Sequence, residues 1–299
     1  MKLLLFADAH LRAKGPPSRI DDYPYAILGK IAFVRDLAEQ YGVDATIFLG
    51  DLFHFKDPSR TPPWLLSAAI RVFRSFPTPP YILLGNHDLQ SGGVVSLGRQ
   101  PIDVLLQAGV VARVARTYFK SHALTFLDYD SLVALQFDGL LPSPEPGMVN
   151  ILFTHLDMGV LGSDSVVAYD QLCGRGYDMV FNGHMHKRVA PRDIGATRLF
   201  QVPAIARPAI PQEGEERPCV VYVEDSRVDL IEVPHRPTSE IFRLEEASDA
   251  RDSQSEIAAF VAQVSALNLA TTQSDMLAPL MGKVDPLVID CIREFLDQA

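Results

Sequence analysis

The 299-residue chain is predicted to be an α/β protein, on the strength of three features. Short continuous apolar runs, the pattern of strands buried on both faces, recur at 2–7, 45–49, 81–84, 150–153 and 179–181. Stretches of helical periodicity separate the first three. Each run leads at once into a small cluster of Asp, Asn and His, and α/β sheets gather their ligands at such strand ends.

The elements follow in order. After the opening run, Tyr25 to Tyr41 places Ile27, Leu28, Ile31, Val34, Leu37 and Ala38 on one helical face, with Gly42 as its C-terminal stop. Pro63 to Phe76 repeats the pattern with Leu65, Ala69, Val72 and Phe73. From 118 to 136 the pattern changes to short alternating strands, Ala123–Leu127 and Leu132–Gln136, with Asp130-Ser131 as the hairpin turn between them. That change predicts a second sheet packed on the first. A proline-rich break from Arg207 to Pro218 precedes two more strands, Cys219–Val223 and Val228–Val233, expected to form a hairpin continuing the second sheet.

The tail differs in character. Ser253-Gln254-Ser255-Glu256 is a capping-box start for a helix carrying Ile257, Phe260, Val261, Val264 and Leu267 on one face. Asp285-Pro286 opens a last amphipathic helix through Leu296. The division expected is a main domain over 1–240, in which 200–240 is a reduced cap or sheet extension, and a helical accessory segment over 241–299.

Composition narrows the function. A net charge of −10, from 27 Lys and Arg against 37 Asp and Glu, argues against an unspecific polyanion binder. It does not exclude a nucleic-acid substrate, because bound metal would neutralise some acids, and Arg60, Arg71, Arg74, Lys187, Arg188 and Arg192 flank the clusters. For each of these cations a solvated surface role is at least as good a reading. Cys173, Cys219 and Cys291 form no C-x-x-C pair and are expected to be buried thiols in a reducing compartment. No apolar run approaches the ~20 residues of a membrane-spanning helix. The N-terminal apolar run is broken by Asp8 and His10 too early for a signal peptide, so a cytoplasmic location without membrane association is expected.

Six of the eight histidines fall in five clusters: Asp8-Ala9-His10, Gly50-Asp51-Leu52-Phe53-His54, Gly85-Asn86-His87-Asp88, Thr154-His155 and Gly183-His184-Met185-His186. An isolated Asp-x-His is common in any chain; five such clusters in order, each after a strand, are not. Carboxylate, amide and imidazole are the ligands of borderline divalent metals. Seven of them suffice for two ions sharing one carboxylate, and two ions supply an acidified water and a grip on a phosphate. Asp51 is the bridging candidate, with Asp8, His10 and His186 around one ion and Asn86, His155 and His184 around the other.

In an extended His184-Met185-His186 both imidazoles would project to one side, and Gly50, Gly85 and Gly183 would supply tight turns. So many imidazoles favour manganese, iron or zinc over magnesium. His87 is the candidate general acid or transition-state stabiliser, with Asp88 to orient it. His54 is a second candidate for contact with phosphate.

These motifs resemble the calcineurin-like metallophosphoesterase superfamily, whose signature is Asp-x-His, Gly-Asp, Gly-Asn-His-Asp/Glu, His and Gly-His-x-His. Within it, Asp8-Ala9-His10-Leu11, Gly50-Asp51-Leu52-Phe53-His54 and Pro58-Ser59 are similar to the SbcD-type DNA repair nucleases. Arg12 stands where those proteins commonly have glycine. The resemblance implies a four-layer αββα core, two manganese ions, and exonuclease plus endonuclease activity on DNA. By position it assigns Asp8, His10, Asp51, Asn86, His155, His184 and His186 as metal ligands and His87 and His54 as catalytic residues. It also implies a capping region, and C-terminal helices that dock on a coiled-coil ATPase of the SbcC type; a homodimer is a further possibility.

The leading expectation is therefore a two-metal DNA nuclease, the nuclease subunit of a repair complex. A small-molecule phosphodiesterase or phosphatase with the same ions is the alternative, and a non-catalytic scaffold subunit is the third. The complete ligand set speaks against the last.

Overall fold

The computed structural model describes residues 1–89, 93–129, 141–159, 167–210 and 217–243. Strand β1 (Lys2–Phe6) leads to helix α1 (Tyr23–Tyr41), then β2 (Ala45–Phe48), α2 (Pro63–Arg74), β3 (Tyr81–Ile82) and α3 (Pro101–Gln107). Strands β4 (Arg116–Phe119), β5 (His122–Leu127), β6 (Val149–Thr154), β7 (Met158–Gly159), β8 (Val167–Ala168), β9 (Met179–Asn182), β10 (Arg192–Ile194) and β11 (Thr197–Gln201) follow. The hairpin β12 (Cys219–Glu224) and β13 (Arg227–Glu232), with a short helix α4 (Thr238–Ile241), completes the described part.

The strands form two main sheets, ordered β13-β12-β1-β2-β3 and β10-β11-β9-β6-β5-β4, with β7 and β8 paired separately. Alternation along the buried strands divides the apolar residues into two sets. Leu3, Leu5, Ile47 and Val221 of the first sheet meet Phe126, Ile151, Phe153 and Phe181 of the second in a shared core. Leu4, Phe6, Phe48 and Ile82 point the other way, onto Ile27, Ile31, Leu65 and Phe73 of α1 and α2. The outer face of the second sheet is covered by Leu156, Met158, Leu172 and Tyr177, from β7 and from loops that include the 3-10 turn Tyr169–Leu172. The result is the mixed α/β sandwich expected, with a helical layer against the first sheet.

Helix α1 ends as its sequence indicates. Gly42 is left-handed (φ 56°), and the Val43 N–H bonds the Ala38 carbonyl, closing the last turn. Pro24 and Pro63 occupy the first turns of α1 and α2, where no N–H is required.

Several expectations need correction. The hairpin β12–β13 joins the first sheet, not the second: β12 lies antiparallel to β1, with Leu3 opposite Val223. Both faces of Cys219-Val220-Val221-Tyr222-Val223 are buried, so its alternation carries no mark of the sheet it extends. Strand β5 pairs antiparallel with the preceding β4 and parallel with β6. The strand at 132–136 and the turn at 130–131 lie outside the described residues, as do the tail helices and Cys291. Cys173 is exposed and only Cys219 buried, and neither forms a disulfide. Among the described residues no helix is long and apolar enough to cross a membrane.

Candidate metal centre

Five strands of two sheets deliver the candidate ligands to one place. Beyond the ends of β1 and β2 the two loops keep pairing: the His10 N–H bonds the Asp51 carbonyl at 3.0 Å, and the His54 N–H bonds the Leu11 carbonyl at 3.0 Å. The second sheet is stitched to the first by the His184 N–H, which donates to Asp8 Oδ2 at 3.1 Å. The loop after β11 joins the same rim, with Ala204 N–H on the His186 carbonyl and Ala206 N–H on the Asp8 carbonyl.

Two groups of donors result. Asp8, His10 and His186 each offer an atom lying within 4.8 Å of the others, and so do Asp51, His155 and His184. In the first group, His10 Nε2 is 3.0 Å from His186 Nε2, and His186 Nε2 is 3.3 Å from Asp8 Oδ1. In the second, His155 Nε2 is 3.3 Å from Asp51 Oδ2 and 3.3 Å from Asn86 Oδ1. Asp51 Oδ2 is also 3.7 Å from His10 Nε2, so a single carboxylate oxygen faces both groups. All seven sequence-selected ligands are thus gathered.

The donor set fits divalent cations on its own geometry. Separations of roughly 3.4 Å are the edges of a tetrahedron with ~2.1 Å metal–ligand arms. Asp8 Oδ1, which faces His186, is buried and has no hydrogen-bond partner among the described residues. The Nδ1–H of His155 donates to the Leu49 carbonyl at 2.6 Å, which turns Nε2 towards the carboxylates in the orientation a metal ligand needs. Without metal, burial opposes a proton on His155, but Asp51 and Asp8 outweigh it and raise its pKa to about 10. Burial dominates at His10 and lowers it to about 4.

Backbone strain is concentrated here. Among the described residues seven non-glycine positions have positive φ, and five of them are Asp8, His10, Asp51, His184 and His186. This corrects the extended reading of His184-Met185-His186: both histidines are left-handed, and their rings go to different groups. The glycine reading changes as well. Gly85 is needed for space rather than for its φ, because a Cβ there would sit 2.1 Å from Asp51 Oδ1, and one at Gly183 would sit 2.7 Å from the Leu49 carbonyl.

His54 and His87 stand beside the first group; with His10 they form a third set of imidazoles within 4.8 Å. The rings of His54 and His87 stack at 5.2 Å, and His87 Nδ1–H donates to the His54 carbonyl at 2.7 Å, leaving Nε2 available. Asp88 does not orient the His87 ring. Its buried carboxylate accepts the backbone N–H groups of Asp51 (2.7 Å), Gly85 (3.0 Å) and Leu52 (3.1 Å), locking the β2 and β3 loops together. Burial and the neighbouring Asp51 charge push its pKa up to about 7.

Two supports carry little sequence signal. Asn182 accepts from Thr154 Oγ1 and from the Leu156 N–H, and it donates to the Leu156 carbonyl and to Gln201, fixing the segment that bears His155. Asp128 accepts the Leu84 N–H at 2.8 Å and pairs with Arg113, which sets the approach to Asn86. Apolar strands ending in an isolated buried polar residue were the available hint.

A two-sheet sandwich with paired metal-donor groups on one rim defines a class, the metal-dependent phosphoesterases. The chain belongs to the calcineurin-like phosphoesterase family, whose model matches residues 1–188. The family and the two donor groups together indicate a dimetal site and metal-dependent phosphoester hydrolysis. Among solved structures, a dimetal phosphatase from Danio rerio is similar in fold, at a TM-score of 0.52 and 12% identity over 78% of this chain and 96% of that one. TT1561 of Thermus thermophilus (TM-score 0.49, 13% identity, 78% and 99% covered) and the phosphoesterase Yfce of E. coli (0.39, 16%, 77% and 92%) also match. No curated protein matches by sequence.

Proposed function

We propose that this protein is a two-metal-dependent DNA nuclease of the SbcD type, working with manganese. The carrying observation is Asp51 Oδ2, 3.7 Å from His10 and 3.3 Å from His155, facing two donor groups at once beside His54 and His87. Asp8, His10 and His186 would hold one ion and Asn86, His155 and His184 the other, with Asp51 shared; iron or zinc would also suit these donors. When bound, such a pair supplies an acidified water and neutralises phosphate charge. With Nδ1 engaged by the His54 carbonyl, His87 would have Nε2 for the substrate and is suited to protonate a leaving oxygen, while His54 would add a second imidazole for the phosphate. Asp88 keeps both loops in register without touching substrate.

The motif Leu52-Phe53-His54 supports DNA as the substrate. The net charge of −10 favours the second reading, a small-molecule phosphodiesterase. The DNA reading carries its partner expectations with it: segment 241–299 would meet a coiled-coil ATPase, and a second copy of the chain could pair with the first.

Purified protein with manganese should be offered linear duplex DNA, single-stranded DNA, a bis-aryl phosphodiester and a phosphomonoester. Turnover of DNA and of the diester, with little of the monoester, is expected. Activity confined to monoesters would rule the nuclease out.

A further inference from the structure

Beside the metal centre two arginines share one aromatic ring. The Cζ atoms of Arg12 and Arg60 lie 4.8 Å and 3.4 Å from the centroid of Phe55. Phe55 in turn touches His54, with ring centroids 4.7 Å apart, and His54 lies 5.5 Å from His10 and 5.2 Å from His87. The pair therefore adjoins the candidate catalytic histidines, on the loops that follow β1 and β2.

Neither guanidinium forms a salt bridge among the described residues. Arg12 spends its Nε–H on the Lys14 carbonyl at 2.6 Å, and Asp57, which is near enough to Arg60 for charge attraction, accepts the Ser59 N–H at 2.9 Å. Stacking on an aromatic face fixes the plane of a guanidinium while its in-plane donors stay available. Two cations held against one ring repel each other. An anion bound by both would relieve that repulsion and match the planar forks of donors.

We infer that Arg12 and Arg60, gathered on Phe55, form a subsite for a second phosphate of the substrate, next to the phosphoester that is cut. The inference rests on the phosphodiesterase reading and refines it: the preferred substrate carries at least two phosphates along one chain. It also shows how a chain with a net charge of −10 can attract a polyanion locally.

The test compares a thymidine dinucleotide with one phosphate, the same dinucleotide with an added terminal phosphate, and the trinucleotide with two internucleotide phosphates, all with manganese. The wild-type KM should be about tenfold lower for a two-phosphate substrate, the scale of one good charge-assisted contact. Arg12→Gln and Arg60→Gln should each remove most of that advantage, with KM changing more than kcat. Arg60 is exposed, so its variant tests the subsite even if Arg12→Gln fails to fold.

A gain confined to the trinucleotide would identify an internal phosphate as the ligand, and a gain confined to the other would identify a terminal one. Equal KM values in the wild type, or an advantage undiminished in Arg60→Gln, would overturn the inference while leaving diester hydrolysis intact. No turnover of any diester would overturn both.

Discussion

Asp51 has one carboxylate oxygen towards both donor groups and the other on the His87 N–H at 2.8 Å, so a single residue links the candidate ligands to the candidate catalytic histidine. Asp51→Asn should reduce bound manganese below two equivalents and lower turnover by roughly 10³-fold or more, read by elemental analysis and diester assay. His87→Ala should behave differently, keeping both ions while losing about 10²–10⁴ in turnover. Unimpaired turnover in that variant would reject its role. Asp88→Ala leaves buried N–H groups of four residues, Asp51, Leu52, Phe53 and Gly85, without an acceptor and should cost about 3 kcal/mol or more, seen as a lower melting temperature. At this scale the sequence was informative about donor identity, because chemistry restricts which side chains bind such metals. It was silent on conformation. Nothing in Asp-Ala-His or His-Met-His announces a left-handed backbone, since tertiary pairing between loops imposes it.

The elements carry a second set of consequences. On α1, Lys30 is buried and donates to the Ile205 carbonyl at 2.5 Å, which pins the loop after β11 against the helix layer. Burial, reinforced by Arg207 and Arg19, lowers its pKa to about 7, against 10.5 when unfolded. Between those values the unfolded chain holds a proton the folded one lacks, so this group makes stability rise with pH from 7 to about 10.5, by up to ~1.4 kcal/mol per unit. Below pH 7 both states are protonated and the dependence vanishes. Lys30→Met should remove this slope, and chemical denaturation of both proteins at pH 7 and pH 9.5 checks it. Helices and buried strands were legible because periodicity reflects burial. Sheet membership of β12–β13 was not, because a strand buried on both faces fits either sheet.

For the molecule as a whole, the site joins loops from both sheets, so metal binding and folding should be linked. Manganese at a hundred times its dissociation constant should stabilise the protein by about 2.7 kcal/mol per independent site, and chelation should reverse it. For a domain of this size that corresponds to a rise in melting temperature of very roughly 5–10 °C. The charge of −10 is a property of the whole surface and says little about the rim, where Arg12 and Arg60 meet Phe55. Composition could not reveal that local reversal, because 12, 55 and 60 come together only through the parallel course of two loops.

The central claim is a pair of cations with Asp51 between them. Anomalous diffraction from manganese-soaked crystals tests it most directly. Two peaks about 3.5–4 Å apart, one against Asp8, His10 and His186 and the other against Asn86, His155 and His184, are the expected result. One peak alone, or two that leave Asp51 outside, would contradict it.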